Sequence, residues 1–382
     1  MTKVRVLIAG GGIGGLTAAI ALIQRGFEVL VYEQAPELRE FGAGVSISPN
    51  GSRVLIELGL QRALEQVASR PASWNMRLFD TGRSWPVGSS LRVVHRGDLH
   101  RALVLALERH APGAVRVGAR CVGFEQDKSG VTLLLDNGEQ VHGDGLVGAD
   151  GVHSRFRREL FGEGRATFTG YMAWRAVMPI ERVPLRLREQ VFTAWVGPSG
   201  QIVTYPLRQG KLMNLAGTVR RNDWLVESWS EAGTVEECRN DFPGWHEDVL
   251  AIINAIQIPY KWALIGRPPL RHCSVGRVTL LGDAFHPTVP ILGQGANMTI
   301  EDSMILARCL EASTSIVEAL QRYEAARLDR TSRIVQTAFD RLERTRDELA
   351  DPNLAKAFME RLTASGDPYD WIYQYDAVSV PV

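Results

Sequence analysis

The sequence lacks an excess of charge of either sign. Its 382 residues include 43 Lys and Arg and 43 Asp and Glu. Such a balanced chain has no net field that would recruit nucleic acid or an anionic membrane. We therefore expect small molecules as its partners.

Cysteine is also scarce. The four cysteines, Cys121, Cys238, Cys273 and Cys309, are far apart, and no C-x-x-C spacing occurs. This pattern argues against a zinc site or a disulfide framework and is typical of proteins of a reducing compartment.

Long apolar runs, internal repeats and low-complexity segments are missing as well. No segment approaches the length of a membrane span, and the first strand begins too early to leave room for a signal peptide. The length allows two domains with large cores. These absences predict a cytoplasmic globular enzyme without a metal site.

The chain opens on a glycine-rich turn between two apolar strands. Val4–Ala9 is short and β-branched, as in a strand buried on both faces. Gly10, Gly12 and Gly15 then satisfy G-x-G-x-x-G, and Glu33 ends the next strand about 20 residues later. This arrangement predicts a dinucleotide site, with the diphosphate at the helix N-terminus and the acid on the ribose.

Glu33 would repel a 2′-phosphate, so the turn favours FAD or NAD over NADP. The alternative is a βαβ turn with a purely structural role. Downstream, the glycines around Ala43 suggest backbone close to a ligand, followed by the alternating polar residues Ser46, Ser48 and Asn50. An ordinary glycine-rich loop is the other interpretation of this stretch.

Two later glycine turns follow apolar strands. Gly148-Ala149-Asp150-Gly151 precedes a helix start at Ser154. Gly282 and Asp283 end another strand, and a long helix is predicted from near Ala296 to about Ala350. Because strand C-termini face the ligand crevice of an open α/β sheet, we expect Asp283 to point at the cofactor.

The middle of the chain has strand-like segments rich in aromatic residues and arginine. Period-2 patterning between residues 170 and 262 predicts one antiparallel sheet that covers a substrate. Further expected elements are a hairpin over Ala72–Val87, a small meander around Asp136-Asn137-Gly138, and helices over Gly51–Ala68 and Val235–Ile256.

Together, the three glycine motifs resemble the fingerprints of single-component (group A) flavoprotein aromatic hydroxylases. The resemblance spans nearly the whole chain. It implies an α/β fold: an interrupted Rossmann-like FAD domain of the glutathione-reductase type, an antiparallel-sheet substrate domain and a C-terminal helical segment. We expect residues 1–72, 91–167 and 263–345 in the FAD domain, 73–90 and 168–262 in the substrate domain, and 346–382 as a C-terminal cap.

The resemblance also implies tightly bound FAD, NADH or NADPH as a transient electron donor, and hydroxylation of a small electron-rich aromatic compound with O2 through a flavin C4a-hydroperoxide. The expected subunit state is a monomer or homodimer. The predicted FAD contacts are Gly10, Gly12, Ile13, Gly14, Gly15, Glu33, Gln34, Arg39, Gly44, Val45, Arg96, Cys121, Asp150, Asp283, Gly293, Gly295, Ala296 and Asn297. For Arg96, a surface ion pair is the alternative role.

Within the family, Tyr205-Pro206-Leu207-Arg208 and the aromatic stretch Trp371 to Tyr375 are similar to hydroxylases of salicylate, 3-hydroxybenzoate and 6-hydroxynicotinate. Several relatives carry a histidine on this strand as a base, whereas this chain has Gln201, Val203 and Thr204. The departure puts deprotonation by histidine, and the identity of the substrate, in doubt.

The candidate catalytic residues are Tyr205, His286 and Pro290. Tyr205 would hydrogen-bond the substrate hydroxyl, or it is a core tyrosine. His286 would relay a proton at the flavin, or it supports its turn. The predicted substrate contacts are Ser46, Arg175, Thr204, Tyr205, Arg208 and Arg220, and the sequence does not choose among the three arginines as the carboxylate ligand.

Two other functions remain open from the sequence. One is a flavin dehydrogenase, reductase or cyclase that inserts no oxygen, because the fingerprints report the cofactor rather than the chemistry. The other is a nucleotide-binding sensor without catalysis.

Overall fold

A computed structural model describes residues 3–38, 42–87, 91–164, 166–198, 200–221, 223, 231–348, 357, 360 and 368–382, with the side chains of 345–348 left out. The strands are β1 Arg5–Ala9, β2 Glu28–Glu33, β3 Gly44–Ile47, β4 Ala68–Ser69, β5 Trp74–Leu78, β6 Ser84–Val87, β7 Arg92–His95, β8 Val115–Val117, β9 Cys121–Gln126, β10 Val131–Leu135, β11 Gln140–Gly143, β12 Gly145–Gly148, β13 Thr167–Pro179, β14 Phe192–Gly197, β15 Gly200–Leu207, β16 Leu212–Arg220, β17 Tyr260–Gly266, β18 Ser274–Val275 and β19 Val278–Leu280. The helices are α1 Ile13–Gln24, α2 Pro49–Glu57, α3 Gln61–Val67, α4 Arg96–His110, α5 Arg155–Phe161, α6 Val235–Asn240, α7 Glu247–Asn254, α8 Gly295–Glu311, α9 Ile316–Glu348 and α10 Asp370–Tyr373.

The first sheet has the strand order β18-β19-β12-β1-β2-β8. From β19 to β8 neighbouring strands are parallel, and β18 is an antiparallel edge. Val6–Ala9 is buried throughout because helix α1 packs on one side of the strand and the sheet of β9, β10 and β11 covers the other side. The carboxyl ends of β1, β12 and β19 therefore lie along one edge, as predicted for a doubly wound fold.

The second large sheet has the order β17-β13-β16-β15-β14-β5-β6. The pairs among β13, β14, β15, β16 and β17 are all antiparallel, as predicted for residues 170–262, whereas the added strand β5 runs parallel to β14. The parallel pair arises because the predicted hairpin Ala72–Val87 adds to the sheet edge from a distant part of the chain. One face of the sheet packs on α6 and α7 through Trp174, Leu215, Phe242 and Ile252.

Two smaller sheets complete the strand pairing. The predicted meander is confirmed by antiparallel β9, β10 and β11. In the other, β7 pairs with both β3 and β4. This small sheet brings β3 under the second large sheet, where the backbone of Gly44 contacts Tyr205.

Three predicted helices are each divided into two. Gly59, with φ 77°, separates α2 from α3 because this left-handed conformation ends a helix and favours glycine. The stretch Val235–Ile256 forms α6 and α7, and Pro243 and Gly244 lie between them. The long predicted helix after Ala296 likewise divides into α8 and α9.

Arginine side chains hold the C-terminal segment against the helices. Arg53 donates to the Tyr373 carbonyl at 2.7 Å, Arg330 to Ile372 at 2.9 Å and Arg308 to Ala377 at 2.9 Å.

The division into a FAD domain, a substrate domain and a C-terminal cap stays a prediction. None of the helices in the described part of the chain is both long and apolar enough to cross a membrane.

Candidate active site

The opening turn leaves no room for side chains. A Cβ at Gly15 would lie 1.9 Å from the Gly10 carbonyl oxygen, and a Cβ at Gly10, where φ is 113°, would lie 2.3 Å from the Ala149 oxygen. Helix α1 begins at Ile13 with Gly12 as its N-cap, and no side chain of the described residues caps this N-terminus. The first N–H groups of α1 therefore form an anion site next to β12.

Glu33, at the end of β2, accepts hydrogen bonds from the backbone of this turn and from Ala35. Its Oε2 accepts from Gly11 N at 2.7 Å and its Oε1 from Ala35 N at 2.8 Å. Gln34 follows as an exposed residue. Each carboxylate oxygen can accept more than one hydrogen bond, so the half-buried Glu33 can also accept from hydroxyls of a bound ribose.

Asp150 and Cys121 lie beside Glu33. Asp150 Oδ2 accepts from Arg155 N at 2.8 Å, whereas its Oδ1 is buried and has no partner within the described residues. Burial raises the pKa of Asp150, although its hydrogen bonds oppose the shift. Burial, with the charges of Asp150 and Glu33 adding to it, raises the pKa of the Cys121 thiol to about 12. Asp150 Oδ1 can therefore accept a hydrogen bond from a ligand hydroxyl.

The third glycine turn faces the N-terminus of α8. Asp283 is exposed, and the described residues provide no hydrogen bond to its carboxylate. A Cβ at Gly295 would lie 3.9 Å from Asp283 Oδ1. Helix α8 starts at Gly295 and Ala296, and in the described part of the chain no side chain caps Gln294. A carboxylate and a helix N-terminus thus face one crevice.

Asn297 joins β3 to the start of α8. Its Nδ2 donates to Ser46 O at 3.0 Å and to Gly293 O at 2.9 Å, and its Oδ1 accepts from Ser48 N at 3.0 Å. Ser46 Oγ lies 3.4 Å from Gly293 O, so both Ser46 and Asn297 fix the loop with their side chains. Only the backbone of Asn297 remains available to a cofactor.

A network of buried charges underlies this loop. Asp302 Oδ2 accepts from His286 Nε2 at 2.6 Å, and its Oδ1 accepts from Arg327 Nε at 2.7 Å. Glu301 pairs with Arg327 at 2.8 Å and with Arg330 at 2.7 Å. This network was not predicted from the sequence, although two adjacent acids in the apolar helix α8, Glu301 and Asp302, were a signal for it.

His286 is part of this network and is only 3% exposed. Its backbone N–H also donates to Gly282 O at 2.8 Å. These contacts support the structural alternative, in which His286 holds the turn that carries Asp283. A proton relay at the flavin stays an untested prediction, and Pro290 is exposed at the start of the next turn.

The register of the second sheet decides which side chains share a face. Val203 lies opposite Ala216, which lies opposite Arg175, and Tyr205 lies opposite Asn214. Because alternate residues of a strand point to the same face, these five side chains all face β3.

The side chain of Thr204 points to the opposite face of the sheet. It lies opposite Leu215, whose side chain packs on the α6 and α7 face. The prediction that Thr204 and Tyr205 both contact the substrate is therefore wrong for Thr204, because neighbouring residues of a strand point to opposite faces.

Tyr205 lies directly on β3. A Cβ at Gly44 would be 2.4 Å from the Tyr205 ring, and that ring stacks on Phe192 with a centroid distance of 5.2 Å. Burial raises the pKa of Tyr205 far above its usual value. At neutral pH its hydroxyl is therefore a hydrogen-bond donor and not a base.

The three candidate arginines lie in different environments. Arg175 is half-buried, and its guanidinium carbon is 5.6 Å from the ring centroids of both Tyr260 and Trp262. Burial, together with the nearby charge of Arg96, lowers the pKa of Arg175. Arg96 and Arg175 thus bring positive charge to the sheet face that bears Tyr205.

Arg208 binds another residue of the chain. Its Nε and Nη2 donate to the two carboxylate oxygens of Asp98, both at 2.8 Å, and it has a left-handed φ of 49°. The bidentate pair contradicts Arg208 as the substrate carboxylate ligand. Arg220 is exposed at the end of β16, and Arg39 lies outside the described residues.

A small cleft opens on the same sheet face, beside the turn that Pro290 begins. It is lined by Gln201 and Thr218 from the sheet and by Ile291 and Leu342 from the facing elements. Thr218 Oγ1 is buried and has no partner among the described residues. The cleft therefore offers polar groups above the turn that follows Asp283.

The residues at the crevice fit FAD. The glycine turn and the N-terminus of α1 suit a diphosphate, Glu33 suits a ribose, and Asp150 Oδ1 and Asp283 are acceptors to which no described residue donates a hydrogen bond. Val45 lies in β3 between Gly44 and Ser46, and the Ser46 side chain contacts Gly293. Among the described residues, no cluster of three or more His, Cys, Asp or Glu could hold a metal ion.

Comparisons with known proteins agree with this geometry. A family model described as "FAD binding domain" matches residues 3–338. The chain is 36% identical over 394 residues to a 3-amino-4-hydroxybenzoate 2-monooxygenase of Streptomyces platensis, covering 98% of this chain and 97% of the relative. It is 34% identical over 395 residues to a 6-hydroxynicotinate 3-monooxygenase of Pseudomonas fluorescens, with 99% and 96% covered.

The fold is similar to that of Klebsiella pneumoniae HpxO complexed with FAD and uric acid. The TM-score is 0.83 at 28% identity, and 97% of this chain and 95% of the other are covered. Because both curated relatives are monooxygenases, the comparisons do not support the alternatives of a non-oxygenating flavoenzyme or a sensor. The chain belongs to the FAD binding domain family, and it is a FAD-dependent monooxygenase of the single-component aromatic hydroxylase group.

Proposed function

We propose that the protein hydroxylates a single-ring aromatic or N-heteroaromatic acid that already carries a hydroxyl group, with NADH or NADPH as electron donor and O2 as co-substrate. The observation that carries this proposal is the position of Tyr205 and Arg175 on one sheet face above β3. A phenol donor and a guanidinium on one face suit an aromatic ring with a hydroxyl and a carboxylate.

FAD, when bound, supplies the oxygen-activating chemistry after reduction by the nicotinamide. The residues expected to hold it are the α1 turn, Glu33, Asp150, Asp283 and the backbone from Gly293 to Asn297. The glycine turn and helix N-terminus bind the diphosphate, and the two aspartates accept from ligand hydroxyls.

The chain's own contribution to the reaction is binding and orientation. Tyr205 donates a hydrogen bond to the substrate hydroxyl oxygen and increases its phenolate character, because a donor favours the charged form. Arg175 pairs with the carboxylate. The apolar side chains of Val203 and Ala216 lie under the ring and help to exclude water.

Three features of this proposal rest on the sequence: a cytoplasmic location, a monomer or homodimer, and small molecules rather than nucleic acid or membranes as partners. The four cysteines are free thiols in the structure, which is compatible with a reducing compartment.

A substrate screen tests the function. Hydroxybenzoates, aminohydroxybenzoates and hydroxypyridine carboxylates are added singly to the FAD-loaded protein with NADH or NADPH. We expect at least one to stimulate nicotinamide oxidation and O2 uptake and to give a product heavier by one oxygen. Nicotinamide oxidation that none of these acids stimulates would contradict the proposed substrate class.

A further inference from the structure

Asn214 carries a buried donor that the protein leaves unused. The residue is 1% exposed, and its Oδ1 accepts from Gly44 N at 2.8 Å. Because Gly44 N–H is a donor, the Asn214 oxygen must face it. Nδ2 therefore points elsewhere, and it has no hydrogen-bond partner among the described residues. Burying an amide N–H without a hydrogen-bond partner is energetically costly, and a ligand acceptor would recover that cost.

Tyr205 brings a second donor to the same place. Asn214 is its direct partner across β15 and β16, so both side chains lie on the face above β3. Tyr205 Oη lies close to Gly44, because a Cβ built at Gly44 would be 2.6 Å from it. The Gly44 N–H donates its hydrogen bond to Asn214 Oδ1. The phenol and the amide therefore flank one glycine.

The surroundings suit an anionic oxygen. Val203 and Ala216 lie two residues further along the paired strands, on the same face, and offer an apolar surface for a ring, and Arg175 lies opposite Ala216. Arg96 adds charge from the start of α4, where it lowers the pKa of Arg175. His95 packs on Gly42 beneath this face, but burial lowers its pKa and so disfavours the charged imidazolium.

We propose that Asn214 Nδ2 and Tyr205 Oη form a two-donor site for one oxygen substituent of the aromatic substrate, which makes Asn214 a further specificity-determining residue. The inference rests on the proposed function. It explains how a strand with glutamine at position 201 can favour the phenolate without a histidine base: two neutral donors stabilise the charged oxygen and accept no proton.

The test uses a chromophoric probe, 4-hydroxy-3-nitrobenzoate, whose phenolate is coloured. It is titrated into the FAD-loaded full-length protein at a series of pH values, without nicotinamide, and the difference spectrum gives both its affinity and the pKa of its bound hydroxyl. We expect the wild-type protein to lower that pKa below its value in solution.

Two variants of Asn214 then separate the donor from the packing. Asn214→Leu removes the amide, and we expect about tenfold weaker binding of the phenolate and a bound pKa about one unit higher. Asn214→Asp retains an acceptor for Gly44 N but replaces the donor, and we expect a similar or larger loss. If the Asn214→Leu variant does not retain FAD, the probe affinity and the bound pKa in Asn214→Asp decide whether Asn214 binds the substrate oxygen.

Thr204→Val is the matched control, because Thr204 lies on the opposite face of β15 and should leave probe binding unchanged. Equal probe affinity and equal bound pKa in wild type and Asn214→Asp would overturn the inference. A variant that loses FAD affinity while the probe's bound pKa stays unchanged would instead make Asn214 a cofactor contact and also overturn it. A wild-type enzyme that binds the probe but hydroxylates no aromatic acid would contradict the proposed function and not this site.

Discussion

Replacing Asp302 by Asn should destabilise both the protein and its FAD site. Three donors converge on the buried carboxylate: His286 Nε2 at 2.6 Å, Arg327 Nε at 2.7 Å and Gly282 N at 3.1 Å. An amide has one acceptor oxygen, so its NH2 group must face at least one of these donors. The substitution therefore removes a charge and introduces a donor-to-donor contact without changing the volume.

The magnitude follows from burial. Asp302 and Arg327 are both 0% exposed, and removing one partner of such a pair costs about 3–5 kcal/mol. Because Gly282 N lies in the turn that carries Asp283, we also expect weaker FAD binding. Denaturant unfolding of the FAD-loaded protein measures the first effect, and flavin fluorescence during FAD titration measures the second.

The pH dependence gives an additional check. Burial alone would raise the pKa of Asp302, but His286 and Arg327 lower it below its ordinary value. A carboxylate with a lowered pKa contributes its stability above its unfolded pKa and loses it as pH falls through the folded value. The difference between wild type and Asp302→Asn should therefore be constant near neutral pH and shrink below about pH 4.

Asp329→Asn is the matched control. Asp329 is exposed on α9, two residues after Arg327, so its substitution should change the free energy of unfolding by less than about 0.5 kcal/mol. An Asp302→Asn variant that is no more destabilised than this control would contradict a stabilising role of the buried Asp302 carboxylate.

Three further predictions concern Gly15 in the opening turn, Tyr205 on the sheet face above β3, and Arg208, which pairs with Asp98. Gly15→Ala places a Cβ 1.9 Å from a backbone oxygen, so the purified protein should be colourless or bind FAD far more weakly; a yellow variant with normal affinity would refute the close contact. Tyr205→Phe retains the stacking but loses the donor, so kcat/KM for hydroxylation should fall about 10- to 100-fold, whereas Thr204→Val should retain it; equal losses would contradict the face assignment. Arg208→Ala breaks only a half-exposed pair with Asp98, so stability should fall by at most about 1 kcal/mol with KM unchanged; a large rise in KM would return Arg208 to the substrate site.

Local chemistry explains what the sequence could predict. The opening motif requires glycine because of close backbone contacts, and the structure shows those contacts at Gly10 and Gly15. The contact at Gly15 is with Gly10, which is close in the chain, and the meander and the hairpin are also formed by neighbouring segments, whereas the contact at Gly10 is with the distant Ala149. The order of the glycine motifs then indicates one crevice at the ends of parallel strands.

Long-range pairing explains what the sequence could not predict. The partner of Arg208 is Asp98, 110 residues away, and nothing near either residue indicates the pair. Asp302 and Arg327 are 25 residues apart in different helices. Asn214 became a candidate only when the register placed it opposite Tyr205. The error at Thr204 is of another kind, because strand periodicity already separates it from Tyr205.

The central claim is that the protein inserts oxygen from O2 into a hydroxylated aromatic acid. The most direct measurement is the mass of the product formed by the FAD-loaded enzyme with NAD(P)H under isotopically heavy O2 in ordinary water. We expect one heavy oxygen atom in the ring product for each NAD(P)H oxidised in a coupled turnover. A product that carries only oxygen from water, or an unchanged aromatic acid with all consumed O2 released as hydrogen peroxide, would contradict it.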